Sequence, residues 1–302
     1  MMKPHRHRLL WAGLFLYAAA LSAQDAAVSF APDEAQAAPA PAAAETQDLA
    51  KATQNPVASL ISVPLQNNSN FAVGPYNRTQ DVFNIQPVIP ARISENWTLI
   101  TRVIQPIVWQ PFAAAKAGGQ YGFGDMNPTF FLSPAKPGRL IWGVGPTMIF
   151  PTATSTVLGQ GKLSFGPSVV ALVQPGKWTV GALINNVWSV AGSTHRPHVN
   201  QMLLQYFINY NMKKGWYLTS GPIITANWNS QTAGDAANGN DTTSGSVWTI
   251  PFGGGAGRIM RLGYQPVNLS ASLYGNAVHP PGASNWGMRL QIALLYPKKP
   301  KP

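Results

Sequence analysis

Residues Trp286–Tyr296 read W-G-M-R-L-Q-I-A-L-L-Y. Every second side chain is large and apolar: Trp286, Met288, Leu290, Ile292, Leu294 and Tyr296. Between them stand Gly287, Arg289, Gln291, Ala293 and Leu295. Alternation with a period of two marks a β-strand with one apolar face. The length also matches the roughly 9–11 residues that a tilted strand uses to cross a bilayer core. Aromatic residues end the apolar face on both sides, where the interfacial girdles of a membrane barrel would lie. A single such strand would equally close a soluble sandwich, so the rest of the chain must decide.

Working back from this strand, the same theme recurs, giving twelve segments at approximately 57–69, 81–93, 97–110, 120–132, 139–150, 161–174, 177–190, 199–212, 215–228, 246–260, 264–278 and 286–296. In 199–212 one face is Met202, Leu204, Tyr206, Ile208 and Tyr210; the other is Gln201, Leu203, Gln205, Phe207, Asn209 and Asn211. In 264–278 Val267, Leu269, Ala271 and Leu273 oppose Asn268, Ser270, Ser272, Tyr274 and Asn276. The breaks alternate as well. Short turns at 94–96, 133–138, 175–176, 213–214 and 261–263 interleave with longer polar loops at 70–80, 111–119, 151–160, 191–198, 229–245 and 279–285. Sorted loops, an even strand count and segments about twice the usual 5–6 residues argue for a barrel rather than a sandwich. The expected fold is all-β: an antiparallel transmembrane β-barrel of about twelve strands. Internal prolines (Pro64, Pro87, Pro106, Pro146, Pro167, Pro222 and Pro251) remove ladder donors, so bulges or local breaks are expected there. Phe252–Gly257 reads as a sharp bend or close backbone packing rather than a nucleotide loop, because no βαβ context surrounds it.

Composition agrees. Only 10% of the 302 residues are charged, against about 25% in soluble domains. No cysteine is present, which excludes disulfides and thiolate metal sites. No run in the body of the chain is long and apolar enough for a membrane-spanning helix. Residues 1–23 have a basic start (Lys3, Arg6, Arg8), an apolar run from Leu9 to Leu21 and small residues after it, the pattern of a secretory signal peptide. Residues 24–56 are rich in Ala, Pro and Gln and read as a periplasmic linker, with a plug or partner-binding arm as the less supported alternative. The barrel is expected over 57–297, with a basic tail at 298–302. The formal charge is +11, and between the basic start and the basic tail the positive residues are scattered, without a Lys/Arg-rich cluster, so no nucleic-acid partner is expected.

Carrying the alternation through the strands places Gln86, Arg92, Arg102, Asp125, Lys162, Thr249, Arg261, Arg289 and Gln291 on inward faces. The interior is thus expected to be polar, sparsely charged and net basic, with Asp125 pairing with Arg102 or another arginine. The charged members, Arg92, Arg102, Asp125, Lys162, Arg261 and Arg289, are the candidates for a lumen constriction, since rings of charge decide which solutes pass. A structural role as lumen-shaping pairs is the plainer alternative. His195, His198 and His279 fall in long loops with no neighbouring acid, so neither a metal site nor any cofactor is expected. A lipid hydrolase would need a serine and a histidine side by side on the outer face, and no strand supplies that histidine. No G-x-S-x-G, HExxH, P-loop or EF-hand pattern occurs.

Several stretches also resemble a known family: Tyr121-Gly-Phe-Gly-Asp125, Gly159-Gln-Gly-Lys-Leu-Ser-Phe-Gly-Pro167, Asn185-Asn-Val-Trp-Ser189, Leu204-Gln-Tyr-Phe-Ile-Asn-Tyr210, Gly215-Trp-Tyr-Leu-Thr219 and Trp248-Thr-Ile-Pro-Phe-Gly-Gly-Gly255. Together they are similar to bacterial outer-membrane proteins often labelled "neuromedin U", related to transporters of phenol-degradation operons. The resemblance covers roughly residues 48–297. It implies an outer-membrane barrel that passes small solutes, hydrophobic or aromatic ones by analogy, with outer-membrane lipid, the barrel-assembly machinery and a small-molecule solute as partners. A non-conducting barrel that presents its loops is the alternative, and a lipid hydrolase a more distant one. Barrels of this kind tend to end on an aromatic residue, whereas Tyr296 is followed by Pro-Lys-Lys-Pro-Lys-Pro.

Overall fold

The alternating segments pair, each with the next, in sequence order. In the computed structural model, which describes residues 40–113, 115–229 and 247–297, they form a closed antiparallel barrel of twelve strands. The strands are β1 (Ile61–Val73), β2 (Arg78–Ile85 and Val88–Arg92), β3 (Trp97–Pro111), β4 (Gly119–Phe123 and Asn127–Pro134), β5 (Leu140–Ile149) and β6 (Lys162–Val173). The circuit continues with β7 (Trp178–Gly192), β8 (Asn200–Asn211), β9 (Trp216–Ser220 and Ile223–Asn227), β10 (Trp248–Leu262), β11 (Gln265–Val278) and β12 (Trp286–Tyr296). β12 pairs with β11 on one side and with β1 on the other, Ile61 opposite Tyr296 through to Phe71 opposite Trp286. That last pairing closes the sheet and leaves no free edge, which a bilayer demands of any β structure within it. Among the described residues no helix is long and apolar enough to cross a membrane. The signal-peptide reading, the loop 230–246 and the basic tail lie outside the described residues.

Outward faces follow the expected parity. Trp178, Val180, Ile184, Trp188 and Val190 of β7 are exposed on the outer wall, as are Trp286, Leu290, Ile292 and Tyr296 of β12. Aromatic pairs mark two levels. At the short-turn end Trp97 meets Trp142 edge-on and Trp178 lies 4.8 Å from Tyr210; at the long-loop end Phe71 stacks on Trp286 at 4.1 Å and Trp228 meets Trp248. Amphipathic rings of this kind favour the polar boundary of a bilayer. One outward patch is polar: Ser69 donates to Asp81 Oδ1 at 2.5 Å, with Asn67 beside them.

The prolines and glycines divide into two kinds. Gln86-Pro87 and Gly221-Pro222 interrupt β2 and β9, as expected where a donor is missing; Gly124–Met126 interrupts β4 without a proline. The breaks in β2 and β9 preserve register. The one in β4 does not: Val108 faces Gly122 and Arg102 faces Thr129, so one extra residue has been inserted and the inward parity changes across it. Pro146 and Pro167, by contrast, sit opposite each other within β5 and β6. There the ladders to the outer neighbours thin out: β4 and β5 pair only at Thr129–Thr147 and Leu132–Val144, and β6 skips from Phe165–Trp188 to Ser168–Asn185 against β7. The glycines of 253–255 stay within β10, and a Cβ on Gly255 would collide with the carbonyl oxygen of Ala271. Close backbone packing is therefore what this run supplies.

Two features depart from the sequence reading. Part of the linker is an α-helix, α1 (Ala40–Thr53), as its alanine content favours. It packs against the short-turn end of the barrel. Ala50 is buried with Tyr217 and Ile259, and Leu49 packs against Leu60, Ala293 and Leu295. Gln54 and Asn211 exchange two amide hydrogen bonds, 2.8 and 3.1 Å, and Gln174 Nε2 donates to the Lys51 carbonyl at 2.8 Å. The interior is also not uniformly polar. Ile100, Phe131, Val170, Leu172, Leu183 and Phe207 point inward and form one buried apolar cluster with Val57. Strands β3–β8 thus enclose a core of their own, while β9–β12 and β1 present amides and hydroxyls inward. Alternation alone hid this, because on the inward faces of β4 and β6 the apolar residues stand among serines and threonines.

Candidate functional site: a two-chambered lumen with an arginine neck

The space inside the barrel includes two chambers with shared lining residues, and a third cavity of about 220 Å³ among Asn127, Thr147, Asn185 and Gln201 that shares Thr225 and Thr249 with the larger of them. The larger, about 610 Å³, runs from the long-loop end, where Gly282, Ala283 and Ser284 line its mouth. The smaller, about 220 Å³, ends on Ala52–Pro56 at the close of α1. Six residues line both: Gln66, Gln86, Arg102, Gln205, Tyr274 and Arg289. They form the neck.

Each neck residue is set by its strand. Arg102 is paired with Val88 just past the break in β2, and its Nη2 donates to Gln86 Oε1 at 2.9 Å. Gln86 is held in turn by its own N–H, which donates to the Pro64 carbonyl at 2.9 Å. Arg289 lies on β12 between Asn68 and Ser272. Its Nε donates to Asn68 Oδ1 at 3.0 Å and its Nη1 to the Gly221 carbonyl at 2.9 Å. Its guanidinium stands 5.0 Å from the ring centre of Tyr274, a favourable cation–π distance. Tyr274 Oη accepts from the Gly221 N–H at 3.3 Å. The break in β9 therefore serves the neck, turning both backbone polar groups of Gly221 to side chains of β11 and β12.

The two walls of the neck differ. On the β1–β3 side, amides continue into the larger chamber, where Asn70 Nδ2 donates to Gln80 Oε1 at 2.8 Å and Gln80 to Gln110. Below the neck, Val88, Leu183 and Phe207 of the apolar cluster line the smaller chamber. Among the described residues no carboxylate lines either chamber.

Of the six charged candidates, the structure brings Arg102 and Arg289 together and places the other four elsewhere. Arg92 is exposed at the end of β2, where its guanidinium donates to the carbonyls of Ser94 and Glu95 and clamps the short turn. Arg261 is exposed next to the β10–β11 turn. Lys162 is buried at the first residue of β6, away from both chambers. Asp125 falls in the bulge of β4, and its carboxylate accepts the backbone N–H groups of Ala153 (3.1 Å) and Gln160 (2.6 Å). It does not pair with Arg102; the parity change across the bulge removes it from the neck. Thr249 and Gln291 line the larger and the smaller chamber respectively, as expected.

Other residues escaped the sequence reading. Gln66 stands in the run Gln66–Asn70, which has no apolar alternation to reveal its facing. Arg196 was hidden in a loop noted for its histidines. It ties loop 193–199 to loop 151–160 by donating to the carbonyls of Thr156 (2.7 Å), Gly159 and Gln160. The structure also pairs a serine with a histidine: Ser189 Oγ lies 3.3 Å from His198 Nδ1 and accepts the Val199 N–H. Among the described residues no side chain holds the other ring nitrogen of His198. Nor do three or more metal-ligating side chains cluster among them.

No protein-family model and no curated protein matches the sequence. By structure, the chain is similar to an outer membrane channel from Pseudomonas putida F1, with a TM-score of 0.58 at 15% identity over 80% of this chain and 97% of that one. Outer membrane phospholipase A from Escherichia coli aligns with a TM-score of 0.41 at 12% identity, over 80% of this chain and 99% of that one. A porin aligns at 0.35 and 8%, over 78% and 99%. The last two scores are too low to argue from. At such identities the likeness concerns the fold, and that fold is a closed, twelve-stranded antiparallel barrel shared with an outer membrane channel.

Proposed function

We propose that the protein is a bacterial outer-membrane channel that passes small solutes through a constricted lumen. The carrying observation is the hollow interior of a closed barrel, where two chambers abut at one neck of six polar or aromatic residues. A twelve-stranded barrel is wider than an eight-stranded one, which side chains fill, and narrower than a 16–18-stranded porin. The outward apolar wall with its two aromatic levels supports residence in a membrane, and the signal-like start of the chain supports export to the outer one. The resemblance to phenol-pathway transporters favours aromatic or otherwise apolar solutes.

A second reading has its own observation. The helix α1 and the apolar cluster both obstruct the short-turn end, which favours a barrel that conducts nothing and presents its loops. Planar-bilayer recording separates the two. Discrete current steps from purified, folded protein are expected; a silent bilayer with correctly folded protein favours the scaffold. A lipid hydrolase rests only on the Ser189–His198 contact, and release of fatty acid from vesicles would be needed to support it.

A further inference from the structure

Two guanidinium groups in one narrow neck pose a charge problem. Charges withdrawn from bulk water are normally paired, because unpaired ones forfeit solvation. The hydrogen bonds of Arg102 and Arg289 go to neutral oxygens: the amides of Gln86 and Asn68 and the carbonyl of Gly221. Among the described residues no carboxylate lines either chamber. The barrel's acids among the described residues are committed elsewhere. Asp81 is bonded to Ser69 on the outer wall, Asp125 holds the amides of loop 151–160, and Glu95 is exposed in a short turn. Among the described residues the constriction thus holds two cations and no counter-ion.

We infer that the neck is a binding site for a small organic carboxylate, whose anionic head bridges Arg102 and Arg289 and whose apolar body lies against Val88, Leu183 and Phe207. Guanidinium groups suit carboxylates geometrically, through parallel N–H donors. The side walls select for the rest of the molecule. The lower chamber, about 220 Å³, combines the arginines with an apolar wall, so the ligand is amphipathic rather than a bare anion. The Tyr274 ring beside Arg289 adds a flat surface at the head. Cationic necks also slow the passage of cations and concentrate anions. This inference rests on the channel reading for its role in transport, but binding to the neck does not require conduction.

The test uses the full-length mature protein in detergent, with benzoate as the probe. Binding is followed by calorimetry at constant ionic strength, beside neutral benzyl alcohol and inorganic phosphate. Benzoate is expected to bind saturably, and benzyl alcohol and phosphate at least roughly tenfold more weakly, the loss of about one charge-assisted pair. Arg289→Gln and Arg102→Gln should each weaken benzoate by a similar factor, whereas Arg289→Lys retains part of the affinity. Heat-modifiable gel migration confirms that each variant is a folded barrel, and the three-probe comparison on the unmodified protein stands even if a variant fails to fold. Benzoate binding no better than benzyl alcohol would overturn the anion site, and phosphate binding as well as benzoate would overturn the amphipathic ligand. A protein that binds benzoate without conducting sinks the channel reading and leaves the site standing; one that conducts without binding benzoate does the reverse.

Discussion

Arg289 Nη1 donates to the carbonyl oxygen of Gly221 at 2.9 Å, although two whole strands separate these residues around the wall. The bond is a chord across the lumen. It exists because Gly221-Pro222 interrupts β9, where the carbonyl has no strand partner of its own. The same chord narrows the pore and orients the charge, so removing it has a measurable consequence.

Replacing Arg289 with alanine should widen the neck and weaken its preference for anions. Single-channel current is expected to rise, and the reversal potential in a salt gradient to move toward that of a non-selective pore. Arg289→Lys keeps the charge but not the fork that reaches Asn68 and Gly221, so selectivity should persist while conductance increases. An unchanged current and reversal potential in both variants would reduce the arginine to a structural strut.

The docked helix supplies a second prediction. Ala50 is 3% exposed against Tyr217 and Ile259, so Ala50→Arg cannot be accommodated and costs on the order of the 1–3 kcal/mol of overpacking. Undocking α1 should raise the open probability in bilayers. Gly215 backs this contact: a Cβ there would collide with the Ile259 carbonyl and press on Thr46 of the helix. If Ala50→Arg conducts like the parent, α1 does not limit flow.

The interior apolar cluster should behave like a soluble core. Phe131 is fully buried in it, and Phe131→Ala is expected to destabilise the barrel by about 3–5 kcal/mol. The heat-modifiable gel shift would then occur at a lower temperature. A barrel held up by its ladder alone would show no such change.

Asp125 and Arg196 jointly organise loop 151–160, one by accepting two backbone N–H groups and the other by donating to three carbonyls. Asp125→Ala gives up hydrogen bonds of about 1.5–3 kcal/mol each before water replaces them. Faster protease cleavage within 151–160 is expected, with the ion preference of the neck unaltered. A shift in ion preference without faster cleavage would return Asp125 to the constriction.

Much of this was legible from alternation. The strand Trp286–Tyr296 reads outward at even positions and inward at Arg289, and the structure agrees because a side chain's face depends only on its neighbours in the same strand. Tyr274 and Gln205 were on inward faces for the same reason. Where alternation failed, a local event had broken it. The bulge at Gly124–Met126 took Asp125 out of the lumen, and the run Gln66–Asn70 had no apolar partner to set its phase. The helix α1 was hidden because alanine-rich sequence carries helix propensity without stating what the helix will dock against.

The sequence by itself determined that the chain is a barrel of about twelve strands, which wall a residue faces where alternation runs unbroken, and that the body of the chain is poor in charge. The tertiary structure alone decided which inward residues share one level. That depends on how far each strand slides against the next around a closed circuit, on three strand breaks, and on a helix packed against the short-turn end. These are sums over the whole wall, and no single stretch of sequence contains them. For this reason Arg92, Arg261 and Arg289 look alike in sequence, while only Arg289 meets Arg102 at the neck.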